Sequence, residues 1–305
     1  MKEKYSAGII ILSCLLTLFL VSVSPVFAVG PPPGESSAVN GAENYYAGAL
    51  PPPGFHIIDY TFFYSATKFM GPSGDKDSPP GFHVTALANV IRPIYVADVD
   101  VLGANPAWHL IIPIVYQKVS VNGTSSNKFG IGDIYFSPLI LGWHREVFHW
   151  VAALDIIAPT GSYDIAAVNG NNIGKNHWTF EPAFAISAIT KQGFTASAKF
   201  MYDIHTENQD TKATCGDQIH IDYSMGYKIH DNWDIGLGGY YLKGLQDDTQ
   251  DGVKVADSKQ EVLAIGPNVR FSKGKLSIVL EPDFEVITKN RTQGIATWLK
   301  LVYSF

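Results

Sequence analysis

Glu281, Asp283 and Glu285 recur at every second residue of LSIVLEPDFEVI. In a strand that spacing sets all three carboxylates on one face, where they can do one of two things. They form a cation-preferring constriction, or they pair with bases reaching in from neighbouring strands, as a packed polar interior demands. Lys199, Lys228, Arg270 and Lys300 fall on the polar face of their own segments and are the preferred partners. Asp155, Glu181, Asp203, Asp222 and Asp234 lie on the same kind of face, so its predicted balance is acidic.

No nucleophile assembles. A membrane-embedded hydrolase or acyltransferase needs a His beside a Ser, with a polar partner to orient the ring. The chain has no His-x-Ser pair, and His220-x-Asp222 is its nearest approach. His149, His177, His205 and His220 could line an interior, where histidines ordinarily serve hydrogen bonding. No catalytic residue, metal site or cofactor is expected. Cys14 would leave with a cleaved N-terminal segment, so Cys215 stands alone, without an internal disulfide or a cysteine-based zinc site.

The elements that must position these residues are strands. Strand-like runs cover roughly 55–66, 82–99, 107–121, 129–143, 147–158, 177–190, 193–204, 215–229, 232–244, 259–272, 275–288 and 293–305. None shows helical periodicity, and alternation of period two is sustained in most. In HWTFEPAFAISA, Trp178, Phe180, Phe184 and Ile186 oppose Thr179, Glu181 and Ser187. In DQIHIDYSMGY, Ile219, Ile221, Tyr223 and Met225 oppose His220, Asp222 and Ser224. Two runs fit less well, because Arg92 and Asp133 require a bulge or an interfacial position. Pro138, Pro182, Pro267 and Pro282 fall in the apolar phase of their strands. Proline cannot donate to a ladder, so these are candidate kinks that curve the wall, with a lateral gap toward lipid as the sharper alternative.

Connections alternate in length. GANP, HREV, KQG, HDN and SKGK are tight, whereas KFMGPSGDKDSPP, PTGSYDIAAVNGNNIGKN, TENQDTKAT and QDDTQDGVKVADSK are long, with NGTSSN and TKNRTQ the shorter members of the second set. Short turns at one end and long loops at the other describe an all-β fold: a single up-and-down antiparallel transmembrane β-barrel. About 12 strands are expected, with 14 as the alternative, and closure removes the edges that lipid would not tolerate. The polar-face residues named above become lumen-lining candidates.

The ends of the chain agree. Lys2 and Lys4 precede an apolar run from Ala7 to Val23, and Val26-Phe27-Ala28 is a small-residue cleavage pattern, so 1–28 reads as a signal peptide. Residues 29–54 (GPPPGESS, then ALPPPG) form a Pro/Gly-rich periplasmic leader, and 55–305 form the barrel. The chain closes on TWLKLVYSF, with Leu301, Tyr303 and Phe305 on its apolar face as the candidate assembly signal. A net charge of −6 gives no basic footprint for nucleic acid.

Four stretches carry a family resemblance: FGIGDIYFSPLILGW (129–143), DIIAPTGSYD (155–164), IGKNHWTFEPAFAIS (173–187), and GDQIHIDYSMGY combined with WDIGLGGYYLKGLQDD. Together, from about residue 82 to the C terminus, they resemble the outer-membrane transporter-like proteins linked to the meta pathway of phenol degradation. Cys215-Gly216-Asp217 departs from an expected Ser-Gly-Asp, and His177 from a more usual aromatic or aliphatic residue. The resemblance implies a barrel with a role in uptake of aromatic or other hydrophobic compounds. The expected function is therefore an outer-membrane channel for small hydrophobic or aromatic solutes, without catalysis. The alternatives are a barrel-embedded lipid hydrolase or acyltransferase, or a structural or adhesive barrel. The expected partners are outer-membrane lipid and lipopolysaccharide, the barrel-assembly machinery and a small hydrophobic solute, with no nucleic acid. The expected location is the bacterial outer membrane, reached by export.

Overall fold

Alternating segments pair into one closed antiparallel sheet in the computed structural model, which describes Gly34 and residues 36–305. The predicted signal peptide, 1–28, lies outside the described residues. In chain order the strands are β1 (Gly54–Met70), β2 (His83–Val96), β3 (Asn105–Val121), β4 (Thr124–Ile131), β5 (Ile134–His144), β6 (Phe148–Ala158), β7 (Thr179–Ile189), β8 (Phe194–His205), β9 (Ala213–Thr214), β10 (Gln218–His230), β11 (Trp233–Gly244), β12 (Thr249–Gln250), β13 (Val253–Lys254), β14 (Glu261–Lys273), β15 (Leu276–Lys289) and β16 (Arg291–Ser304). Short β9, β12 and β13 form a separate small sheet among the long loops.

The remaining strands pair with their neighbours, and β1 closes on β16, with Tyr60 opposite Lys300 and Phe62 opposite Trp298. Both β4 and β5 pair with β3, the first along Ile114–Val121 and the second along Asn105–Ile111. They form a single wall strand broken at Gly132 and Asp133, and the barrel is twelve-stranded. Asp133 sits in that break, where its carboxylate accepts the N–H groups of Gly161 (2.9 Å) and Lys175 (2.8 Å).

Arg92 corrects its expectation. It occupies neither a bulge nor an interface; it points into the barrel and meets a carboxylate there. Two loops also differ from their reading. NGTSSN is a hairpin, because Asn122 and Gly123 both adopt positive φ (50° and 79°) and the strand resumes at Thr124. A two-residue I′-type turn requires that pair of conformations, and Asn-Gly is its favoured sequence. TKNRTQ shrinks to one residue outside the strands, Asn290, also at positive φ. Conversely, the turn at GANP is an eight-residue connection, 97–104, that takes in Gly103 and Ala104, while Asn105 and Pro106 already belong to β3.

The prolines mark irregular pairing. At Pro138 the β5–β6 register shifts between Phe136 and Leu139. Pro182 stays opposite Leu154 of β6, but pairing of β7 with β8 lapses between Phe180 and Ala183. The β14–β15 ladder lapses from Ile265–Phe284 to Val269–Leu280, the stretch holding Pro267 and Pro282. The strands remain close there: a Cβ on Gly266 would stand 1.7 Å from the Pro282 carbonyl oxygen, so only glycine fits.

The two faces are opposite in character. Phe180, Phe184, Leu280 and Phe284 are exposed on the outside, while their alternates Glu181 and Asp283 are buried within. Water alone would not select that arrangement; lipid outside and a filled lumen would.

Candidate functional site in the lumen

The lumen is occupied by this chain's own residues 36–53, a strap that runs from the small sheet to the start of β1. Of the predicted leader, this part is held inside the barrel. Polar contacts fix it along its length. Ser36 donates to Gln218 (2.6 Å), Tyr135 donates to the Ser37 carbonyl (2.8 Å), and Thr179 donates to Ser37 Oγ (3.1 Å). Asp222 accepts the N–H groups of Gly41 (2.7 Å) and Glu43 (3.0 Å), and Trp298 donates to the Asn40 carbonyl (3.1 Å). Ser224 donates to the Asn44 carbonyl, and Gly48 N–H to Ser187 Oγ (2.9 Å). A Cβ on Gly48 would fall 2.6 Å from wall backbone, which is why a glycine lies where the strap presses closest.

Apolar contacts complement these. Ala42 and Leu50 pack on an inner patch of Ile58, Ile94, Val96, Ala107, Ile140 and Trp298. Ala38 packs on a second patch that includes Tyr240, Leu242 and Val262. A lumen predicted to be polar therefore carries apolar surface, and the strap covers it.

A belt of charges continues from the strap around the wall. Glu43 Oε1 lies 2.7 Å from Arg92 Nη1, and Glu43 Oε2 lies 3.4 Å from Lys300 Nζ. The Tyr60 hydroxyl donates to the same carboxylate. Burial alone would raise the Glu43 carboxyl, but Lys300 and Arg92 beside it hold it well below the usual carboxylate range. Arg92 donates to Nδ1 of His109 (2.9 Å), so that nitrogen is the acceptor and Nε2 carries the proton, facing Asp155 at 3.0 Å. Lys199 lies 3.6 Å from both Asp155 and Glu181. Glu181 and Asp203 then flank His220 at 3.3 and 3.4 Å.

The acidic strand behaves differently from its preferred reading. None of Glu281, Asp283 and Glu285 takes Lys199, Lys228, Arg270 or Lys300 as partner. Glu281 accepts from Asn44 of the strap, and Glu285 accepts from the hydroxyls of Tyr64 (2.8 Å) and Tyr240 (2.9 Å). The Asp283 carboxylate, fully buried, accepts no hydrogen bond among the described residues. The bases are engaged elsewhere: Arg270 pairs with Asp234 at 2.7 Å and lies over the Tyr46 ring at 4.4 Å. Lys228 is exposed at the short-turn rim. A cavity of about 530 Å³ opens at that end, with Tyr46, Leu50 and Pro51 of the strap, Ile94 and Val151 of the wall, and Lys199 among its walls.

Sequence reading missed Glu43, Arg92, His109, Tyr64 and Tyr240 as parts of this network. The strap's composition resembles a linker, and the tyrosine hydroxyls gave no signal against so many strand aromatics. Closure also creates one Ser–His contact invisible in the sequence, Ser304 Oγ at 2.9 Å from His56 Nδ1. The other ring nitrogen meets the Pro52 carbonyl (2.8 Å) rather than a carboxylate. At the same rim Phe305 N–H donates to the Phe55 carbonyl (3.2 Å), with their rings 5.6 Å apart, and Tyr303 stacks edgewise on Phe305 at 4.9 Å. Leu301 lies opposite Asp59 of β1.

The family described as "Putative MetA-pathway of phenol degradation" matches residues 68–301. No curated protein matches the chain. Among solved structures, an outer membrane channel from Pseudomonas putida F1 is similar at a TM-score of 0.76 and 15% identity, over 88% of this chain and 100% of that one. The beta domain of the Bordetella autotransporter BrkA is similar at a TM-score of 0.52 and 11% identity, over 83% of this chain and 100% of that one. These likenesses concern the fold.

Proposed function

The chain belongs to the family described as "Putative MetA-pathway of phenol degradation", and from that premise we propose that it is an outer-membrane channel for small hydrophobic or aromatic compounds that catalyses nothing. The observation that carries this reading is the apolar surface inside the barrel, covered by a strap that the wall holds through polar groups. A water-filled porin has no use for such patches. An aromatic solute moving through the barrel would use them as the strap's Ala38, Ala42 and Leu50 withdraw. The cavity of about 530 Å³ lies in the range of small-molecule sites, roughly 300–1,000 Å³, and joins apolar walls to a few charges that exclude a purely greasy filling. The channel character of the Pseudomonas putida F1 protein supports the same reading by likeness of fold.

Proteoliposomes containing the full chain should take up a labelled monoaromatic solute faster than protein-free vesicles. Absence of uptake, combined with fatty-acid release that Ser304→Ala abolishes, would replace the channel by a hydrolase working from the His56–Ser304 contact.

A further inference from the structure

Glu181 (β7), Asp203 (β8) and His220 (β10) converge inside the wall, with donor atoms all within 4.8 Å of one another. They are 3%, 0% and 1% exposed. Among the described residues neither oxygen of Asp203 and neither nitrogen of His220 makes a well-formed hydrogen bond, the three groups meeting only at ion-pair distances of 3.3 and 3.4 Å. Buried carboxylates and imidazoles are costly to leave unmet, so the cluster has the character of a set of ligands lacking its centre.

The spacing supports that character. Around a tetrahedral cation with bonds of roughly 2.0–2.1 Å to nitrogen and oxygen, neighbouring ligand atoms stand about 3.3–3.4 Å apart. His220 Nε2 lies 3.3 Å from Glu181 Oε2 and 3.4 Å from Asp203 Oδ2. We propose that Glu181, Asp203 and His220 bind a divalent first-row cation of the Zn²⁺ type, one ligand atom each, with water as the fourth. One imidazole and two carboxylates suit such a borderline ion better than a soft one, and the two carboxylates balance its charge. Lys199 stands 3.6 Å from the other oxygen of Glu181 and also faces Asp155, so its charge is balanced outside the cluster. The strap covers the site: Ser36 sits on Gln218 and Gly41 on Asp222, which bracket His220 on β10, and Ser37 sits on Thr179, two residues before Glu181 on β7. A bound cation would thus tie β7, β8 and β10 together under the strap.

The test is Zn²⁺ titration of the full chain, purified in detergent and stripped with chelator, followed by calorimetry and by the visible absorption of a Co²⁺-substituted sample. One tight equivalent per chain is expected, with a Co²⁺ spectrum of tetrahedral nitrogen and oxygen ligation. Asp203→Asn and His220→Ala should each lose it while still showing heat-modifiable migration. His149→Ala should keep it, since His144 and His149, 2.9 Å apart at an exposed turn, are the obvious adventitious binders. Binding that survives Asp203→Asn, disappears in His149→Ala, or is absent from folded wild-type protein would overturn the site. If both ligand variants fail to fold, the wild-type Co²⁺ spectrum decides: an octahedral spectrum rejects the site.

Discussion

Arg92 of β2 and Glu43 of the strap form an ion pair of 2.7 Å inside the barrel. The pair joins a segment that composition reads as a linker to a residue that alternation reads as misplaced. Each explains the other: an arginine in a barrel wall is tolerable when a carboxylate is delivered to it from within.

Glu43→Gln keeps the shape of the side chain and removes its charge. Breaking one partner of a buried pair costs about 3 kcal/mol or more, here drawn from strap docking rather than from the ladder. The variant should show noisier and more frequent channel openings in planar bilayers. Its strap should also be cut faster by added protease, while heat-modifiable migration is unchanged.

Docking should depend on pH in two opposite senses. The Glu43 carboxyl is lowered on folding, so its contribution is complete above its ordinary value of 4.5 and is lost as pH falls below it. Asp248, which accepts Gly34 N–H at 3.0 Å, is pushed up to about 6 by burial against the two backbone donors that oppose the rise. A raised carboxyl favours the protonated folded form, so that contribution is complete below the ordinary value of 3.8 and is lost as pH rises through about 6. Strap proteolysis should therefore be slowest between the two ordinary values, 3.8 and 4.5, accelerating as pH falls below 3.8 and as it rises from 4.5 through about 6. A rate that does not vary with pH would reject both assignments.

Glu285 is held by two tyrosine hydroxyls, and a hydrogen bond to a charged group is worth about 1.5–3 kcal/mol. Tyr64→Phe and Tyr240→Phe should each lower the thermal midpoint of the gel-mobility shift. The double variant should lose less than the sum, because the two hydroxyls share one carboxylate. Lys199→Met should leave the same acidic strand unaffected, since that lysine serves Asp155 and Glu181.

Deleting Phe305 removes the Phe55 contact and one aromatic from the closing strand while leaving every lumen residue in place. If the C-terminal strand is what the assembly machinery reads, folded barrel recovered from membranes should fall severalfold, with solute passage by the remainder unchanged. Normal recovery would assign Phe305 to packing alone.

Much of this fold is legible in the sequence because a wall between lipid and a filled lumen imposes a period of two on every strand. That period places Asp155, Glu181, Asp203 and Asp222 on one face without any tertiary knowledge. It says nothing about which neighbour each one meets. Register decides that Lys199 reaches Asp155 and Glu181, and that Glu285 finds tyrosines instead of lysines. The hairpin at Asn122-Gly123 was hidden because polar residues on both sides mimic a loop, although the Asn-Gly pair itself was the signal. The strap was least legible: it has neither period nor charge runs, and its glycines and alanines matter only through the wall they press against.

The central claim, that solute passes through the lumen once the strap moves, meets its most direct test in a reversible lock. Ser37 and Thr179 bring their side-chain oxygens to 3.1 Å, so Ser37→Cys with Thr179→Cys should form a disulfide that fixes the strap to the wall, with free Cys215, which shares Gln218 with neighbouring Ser36, replaced by serine to prevent mispairing. In a Cys215→Ser background, uptake of a labelled monoaromatic solute by proteoliposomes should stop in the oxidised protein and return on reduction. Equal uptake in the oxidised and reduced states would contradict the account.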